Sequence, residues 1–326
     1  MKPAFSVIFL TTLLGAAQGL LLALFTAQSY ALVKLLPVQN SQSFYAVGAL
    51  VVLVLGALGL LSSFFHLGRP ERAWRSATMW RTSWLSREVI VLPVFLGLVL
   101  LYGLTHFLDW KPTIATLPYG IVIDATLVLG ILCTVVAFAL FVCTAMIYAC
   151  LPFLREWHSP LTIINYILLG SASGFNLAAV LAASTAPELT HFYIVWAIII
   201  TLMAFVSRSA SLLRNSRLRP KSNLQTATGI KHPRIVQKSM GFLGGSFNTR
   251  EFFHGKSRAM LRSLKWTFLV AVFPIPMLLL AVVLWADAQK LLLLAFSVQY
   301  LGLIVERWFF FAEANHPQNL YYQAIA

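Results

Sequence analysis

Charge is what this chain has least of. Asp, Glu, Lys and Arg together make up 10% of its 326 residues, and only ten of them are acidic. With 59% hydrophobic residues and a mean hydropathy of +0.81, that shortage argues against a large soluble core and describes a multi-span membrane protein. No segment forms a soluble basic domain of useful size, so the net charge of +14 does not point to nucleic acid. Cysteine is scarce as well. Cys133, Cys143 and Cys150 lie in or beside one hydrophobic run, at a spacing that fits neither a disulfide framework nor a zinc or iron–sulfur set, and read as buried helix-packing residues. Histidine is missing from the interiors of the hydrophobic runs. His66, His158, His232, His254 and His316 fall in loops or at run ends, and His106 and His191 at run ends on the opposite side, so two facing imidazoles for a haem are not available. No haem and no metal are expected in this chain. Polar groups within the runs are few, Gln18, Asp124, Asn165 and Asn176, which disfavours an ion or solute translocating protein.

What the chain does have is eight apolar runs, each long enough for the roughly 20 residues that a bilayer crossing needs. They are predicted at Ser6–Val33, Phe44–Phe65, Val89–Phe107, Tyr119–Cys150, Thr162–Ala183, Leu189–Val206, Trp266–Ala286 and Lys290–Phe311. The fourth is longer than a crossing requires and is expected to tilt or to extend into water; the sixth is the weakest. Met1 to Val33 is too long for a signal-peptide core and lacks a small-residue cleavage site before Lys34, so it is kept as the first span. Pro93, Pro274 and Pro276 lie within spans and predict kinks. Gly170 and Gly174 form a small-xxx-small pair that reads as helix packing.

The connecting pieces alternate between two faces. Lys2, the five Arg between Arg69 and Arg87, Arg155, thirteen basic residues from Arg208 to Lys265, and Arg307 place 21 Lys+Arg on one face. Lys34, Lys111 and Lys290 are left for the other. Basic loops stay in the cytoplasm, so the expectation is an all-α bundle of eight spans over residues 1–326, in the inner (cytoplasmic) membrane, with both termini and any soluble partner on the cytoplasmic face.

Two loops interrupt this scheme. Residues 207–265 are basic and rich in Gly and Ser, and anionic lipid heads are their plain partner. The stretch GFLGGS at Gly241–Ser246 lacks the Lys-Ser/Thr ending of a phosphate loop and reads as a flexible turn. Residues 66–88 hold five Arg, three Trp and Pro70, and an aromatic interface belt is one explanation for them.

The same loop carries a resemblance. HLGRPERAW at His66–Trp74, TSWLSRE at Thr82–Glu88, WHSPLT at Trp157–Thr162 and ERWFFFAEANHPQNLYY at Glu306–Tyr322 resemble, in order and spacing, the membrane anchor subunits of the dimethyl sulfoxide reductase family, whose topology is eight spans. The opening MKPAFSVIFLTTLLGAAQGL is most similar to anchors of membrane-bound sulfite-oxidising complexes. The resemblance implies a complex of three chains: a molybdopterin catalytic subunit, a four-cluster iron–sulfur subunit, and an anchor that exchanges electrons with ubiquinone or menaquinone. Sulfite oxidation feeding the quinone pool is the expected direction, with quinol oxidation for a sulfoxide reductase as the alternative. It also implies quinone-site roles for His66 and Glu88.

Those residues suit the role chemically. A quinone site needs hydrogen-bond donors for the ring oxygens and a proton route to water. His66 stands where the second span leaves the membrane and Glu88 where the third begins, on the same face; imidazole can donate to a quinone carbonyl, and a partly buried carboxylate can relay a proton. An interface histidine and a helix N-terminal acid are the plainer alternative. Arg69, Arg72 and Arg75 recur three apart and can form one face of a short interfacial helix. Arg72, Arg75, Arg81 and Trp74 are assigned to partner docking, while Arg69 can reach the quinone head. The Glu306–His316 end of the last span reaches the same face and is the second place to look for such a site.

Overall fold

The computed structural model describes residues 1–118, 121–219, 222–236, 252, 254–286 and 288–320. Its helices are α1 (Phe5–Leu32), α2 (Val47–Phe64, entered through a π-helical turn at Ser41–Ala46), α3 (Trp84–Phe107), α4 (Ala125–Ala149), α5 (Pro160–Thr185), α6 (Thr190–Ser216), the short α7 (Leu224–Thr228), α8 (Arg258–Val272), α9 (Pro274–Ala286) and α10 (Lys290–Glu313). Taken with α8 and α9 as one kinked span, eight helices among the described residues are long and apolar enough to cross a membrane. Polar caps set where several of them start. Ser83, Asp124, Ser159 and Ser257 each accept a hydrogen bond from the first turn of α3, α4, α5 and α8.

Helix α1 is the axis of the bundle. It is buried on nearly all sides, whereas α2 and α3 turn Leu50, Val54, Leu58, Val94, Leu101 and Leu104 outward, as lipid-facing helices do. The close approach of α1 to α5 depends on four glycines. A Cβ at Gly19 would lie 2.2 Å from the Gly170 carbonyl oxygen, and one at Gly174 would lie 2.0 Å from the Gly19 carbonyl carbon. Gly15 faces Gly170 in the same seam. The expected packing role of Gly170 and Gly174 is thus shared with a matching pair on α1, one turn apart on each helix.

Several boundaries differ from the sequence expectation, each for a local reason. Part of the excess length of the fourth run is not helix: Ile121–Asp124 is a strand, β2, paired antiparallel with β1 (Thr113–Leu117). These stretches are rich in β-branched residues, and the Asp124 carboxylate then accepts from Leu127 N at 2.9 Å to start α4. Asp124, a polar group near the start of the fourth run, is therefore the N-cap of α4. Helix α6 runs ten residues past Val206, because Ala204, Arg208, Ser211 and Leu212 continue its buried stripe at helical spacing although the composition turns polar. Helix α8 likewise begins at Arg258 rather than Trp266, so helix occupies both ends of the expected 207–265 loop. Gly241–Ser246 lies outside the described residues. At Phe273 the backbone leaves the helical path (φ −110°, ψ −77°) ahead of Pro274, a kink of the expected kind, while α3 runs unbroken through Pro93. Cys133 and Cys143 are buried as expected, but Cys150 is exposed at the end of α4.

Candidate functional site

The basic loops converge on one end of the bundle. Arg214, near the end of α6, donates to the carbonyls of Arg155 (3.1 Å) and His158 (3.0 Å) in the α4–α5 connection. Met1 N donates to the Ala314 carbonyl just after α10 at 2.7 Å. Two of the segments that carry the family resemblance meet here. Ser159 and Pro160 of WHSPLT start α5, Trp157 Nε1 donates to the Phe310 carbonyl at 2.9 Å, and the two rings stack with centroids 5.4 Å apart.

The loop between α2 and α3 folds as a 3-10 helix at Pro70–Ala77, with Pro70 in its first turn. Side chains three apart eclipse in that geometry, so Arg72 and Arg75 share one face, with Arg69 at the cap. All three are exposed, as are Trp74 and Arg81. Each Trp of the loop carries an Arg guanidinium over its ring: Arg75 over Trp74 (5.5 Å), Arg81 over Trp80 (5.3 Å) and Arg87 over Trp84 (4.1 Å). Arg87 also donates to the carbonyls of Trp80 and Arg81, both at 2.9 Å, and so ties the loop to the start of α3.

His66 stands two residues past the end of α2 and is exposed; the part of its ring that packs on the chain is desolvated enough to hold its pKa below the ordinary 6.5. Glu88, in the second turn of α3, points inward and is buried, where it accepts a hydrogen bond of 2.5 Å from Thr144 Oγ1 on α4. No hydrogen bond or ion pair joins His66, Arg69 and Glu88 among the described residues: one end of the loop faces outward and the other feeds into the bundle.

Thr144 belongs to a polar layer that sequence reasoning does not reveal. It lines a cavity of about 20 Å³ together with Thr11, Gln18, Tyr166, Ser173 and Arg307. That is room for about one water and far too little for a quinone ring. The Arg307 guanidinium lies 3.8 Å from the Tyr166 ring centroid, and Arg307 Nε is 3.4 Å from Glu306 Oε2. Glu306 Oε1 is in turn 2.7 Å from Arg208 Nε, and Arg208 Nη2 is 3.9 Å from Glu313 Oε2. Arg208 and Glu306 are 1% exposed, so this is an ion pair inside the bundle and not in a loop. Arg208 and Arg307 therefore leave the count of loop charges, and the asymmetry between faces rests on the other 19 residues. The helical stripe through Arg208 and the carboxylate inside an apolar run at Glu306 are the signals that could have found this pair. Glu313 closes the series beside a wider cavity of about 320 Å³, whose rim includes exposed Arg262 and Asn315.

The opposite end of the bundle is built differently. His106 Nδ1 lies 3.0 Å from Ser41 Oγ, and its ring stacks on Tyr45 at 4.6 Å. Tyr102 donates to Gln28 Oε1 (2.9 Å), Gln28 Nε2 to Thr126 Oγ1 (2.9 Å), and Thr126 to Asp124 Oδ1 (2.7 Å).

Comparison with known proteins agrees with this architecture over the full chain. The model of the DMSO reductase anchor subunit (DmsC) family matches residues 1–313. The chain is 57% identical to the C subunit of the sulfite dehydrogenase of Allochromatium vinosum over 326 residues, which is 100% of both chains. A helical bundle of eight spans, the four sequence segments in their expected order and a family match from the first residue to the end of α10 together place it: the chain belongs to the DMSO reductase anchor subunit (DmsC) family and is the membrane anchor of a multi-subunit oxidoreductase.

Proposed function

We propose that this anchor is quinone-reactive: it passes electrons between an iron–sulfur partner subunit and the quinone pool, in a complex whose third chain is a molybdopterin catalytic subunit oxidising sulfite. The similarity to the C subunit of a sulfite dehydrogenase supports the substrate. The observation that carries the quinone site is the buried Glu88 carboxyl, held by Thr144 at the inner end of the Arg/Trp loop. Basic loops gathered at one end of the bundle support a cytoplasmic position for that end and for the partners, in the inner membrane.

The residues fit a quinone head group. His66, with its pKa held below 6.5, is largely the neutral imidazole near neutral pH and can donate to one ring oxygen from the membrane edge. Arg69 stands three residues along with an exposed guanidinium that can face the other oxygen. The enclosed cavity is too small for the ring, so a bound ring would lie at the lipid-facing edge of the loop, with Glu88 serving it from the protein side. When bound, quinone takes up two electrons and two protons. Glu88 then holds or moves a proton at its free oxygen while Thr144 fixes the other. Arg72, Arg75, Arg81 and Trp74, all exposed, form the docking face for the iron–sulfur subunit, which places that partner's redox centre next to the ring.

The test is His66→Leu and Glu88→Gln in the assembled complex. Each is expected to lower electron transfer to quinone by about 100-fold, the scale of a lost general acid or base, while the catalytic subunit keeps its rate with a soluble dye. Normal quinone reduction with normal sensitivity to a quinone-analogue inhibitor in both variants overturns the assignment.

A further inference from the structure

We propose that Glu306 and Glu313 are the proton relay of this anchor, linking water at the loop-bearing end of the bundle to Glu88 through Thr144 and the cavity beside Arg307. The proposal rests on the reading of Glu88 as the carboxyl that serves the quinone.

The geometry is a row of polar groups crossing the bundle sideways at one depth. Glu88 lies four residues inside the start of α3, Tyr166 six inside the start of α5, Thr144 five before the end of α4, Arg307 six before the end of α10 and Arg208 eight before the end of α6. At 1.5 Å per residue all lie roughly 6–12 Å below the helix ends. Consecutive members touch or share a cavity. Thr144 donates to Glu88 at 2.5 Å; Thr144, Tyr166 and Arg307 line the small cavity; Arg307 reaches Glu306 at 3.4 Å; Glu306 meets Arg208 at 2.7 Å; Arg208 meets Glu313 at 3.9 Å. Glu313 then lines the wide cavity at the rim.

The chemistry of each position suits proton passage. Hydroxyls such as Thr144 accept and donate at once, and the small cavity can hold a water with several polar neighbours. Among the described residues no donor meets hydrogen-bond geometry at the buried Glu306 Oε2, and only Arg307 Nε faces it, at 3.4 Å, so that oxygen keeps capacity for a proton. Arg208 and Arg307 keep their charge throughout and hold the two carboxylates in place. Stability alone does not call for such a set, because a buried ion pair gains little over packed apolar side chains, and charge within a membrane span is costly. Each quinone reduced takes two electrons from the partner subunit and two protons. Glu88 supplies a proton and is refilled from Glu306 by water in the small cavity, and Glu306 is refilled from Glu313 by water from the wide cavity, since the guanidiniums between them donate hydrogen bonds but pass no proton. With quinol as reductant the same protons run outward.

The experiment measures quinone-linked turnover, KM for quinone and dye-linked activity of the full complex carrying Glu306→Gln or Glu313→Gln, with and without formate or azide as a small diffusible proton carrier. The expected result is a fall in quinone-linked turnover of about 100-fold for Glu306→Gln and a smaller fall for Glu313→Gln. KM and dye activity stay unchanged, and the weak acid restores part of the rate. Glu313→Gln leaves the Arg208–Glu306 pair in place and carries the test alone if Glu306→Gln does not assemble. Native turnover in the assembled variants overturns the relay, as does a loss that weak acid does not rescue. Native turnover in Glu88→Gln as well identifies the failure as that of the quinone site itself.

Discussion

At the end of the bundle where the basic loops meet, the buried polar groups are charged: Arg208, Glu306, Arg307 and Glu313 run between α6 and α10. At the other end they are hydroxyls, amides and one imidazole, with Tyr102, Gln28, Thr126 and Asp124 passing hydrogen bonds from one to the next. Both sets join helices that apolar contact alone would let slide, since lipid tails compete for apolar surfaces. They differ in what is left over. Along the second chain each donor finds an acceptor and the series ends in a carboxylate that caps α4. The first retains a carboxylate oxygen without a hydrogen-bond donor among the described residues and abuts two cavities. The Tyr102–Asp124 chain is thus consumed by structure, and what stays buried without a partner beside it among the described residues is a ring nitrogen, His106 Nε2; at the charged end the unpaired atoms include a carboxylate oxygen, the group that proton chemistry uses.

The sharpest way to break that comparison is to remove one member of the ion pair. Arg208→Met leaves Glu306 buried without its 2.7 Å partner, and Glu306→Leu does the reverse to Arg208. Each is expected to cost about 3–5 kcal/mol, the usual consequence of an uncompensated buried charge. The double variant should recover most of the loss. Thermal denaturation of the purified anchor in detergent reads all three. A single variant as stable as the native chain would mean that the charged end is as dispensable as a surface pair.

A smaller effect separates structure from chemistry at the charged end. Thr144→Val keeps the shape of the side chain but takes away the hydroxyl that donates to Glu88 Oε1. Leaving a buried acceptor unpaired costs about 1–3 kcal/mol, so the anchor should melt lower yet still assemble. Quinone-linked turnover should fall with it, and dye-linked turnover should not. Unchanged quinone turnover would detach the cavity from the site.

How much of this is legible in the sequence depends on which physical signal each element sends. The eight spans are plain, because twenty apolar residues in a row have few other uses, and the Gly170/Gly174 pair announces a close contact though not its partner Gly15/Gly19 on α1. The β-hairpin is hidden because Ile121, Val122 and Ile123 are as apolar as the helix they precede. Arg208 is hidden for the opposite reason: in SRSASLLRNS the composition says loop, and only the spacing of Ala204, Arg208, Ser211 and Leu212 says helix. At the site, His66 and Glu88 stand out as ionisable groups at span ends. Glu306 stands out too, as a carboxylate inside an apolar run, but its partner Arg208 does not, and Thr144 does not, since a threonine inside an apolar helix is ordinary until a fold brings it to one layer with the others.

The smallest predicted effect lies at the neutral end and gives the comparison its control. Tyr102→Phe removes the phenol that donates to Gln28 Oε1 at 2.9 Å and leaves the ring, which packs edge-on to His106 at 4.6 Å, in place. Hydrogen bonds between helices inside a membrane average about 0.6 kcal/mol, and Gln28 keeps its other bond, to Thr126. The variant should therefore melt about 0.6–1 kcal/mol below the native chain. Its quinone-linked turnover, KM for quinone and response to formate or azide should match the native complex, because no group at this end belongs to the row from Glu88 to Glu313. Thr144→Val removes the same single hydroxyl at the other end of the bundle. If the two variants lose quinone turnover equally, proximity to Glu88 is not what matters, and the division between a structural end and a chemical end fails.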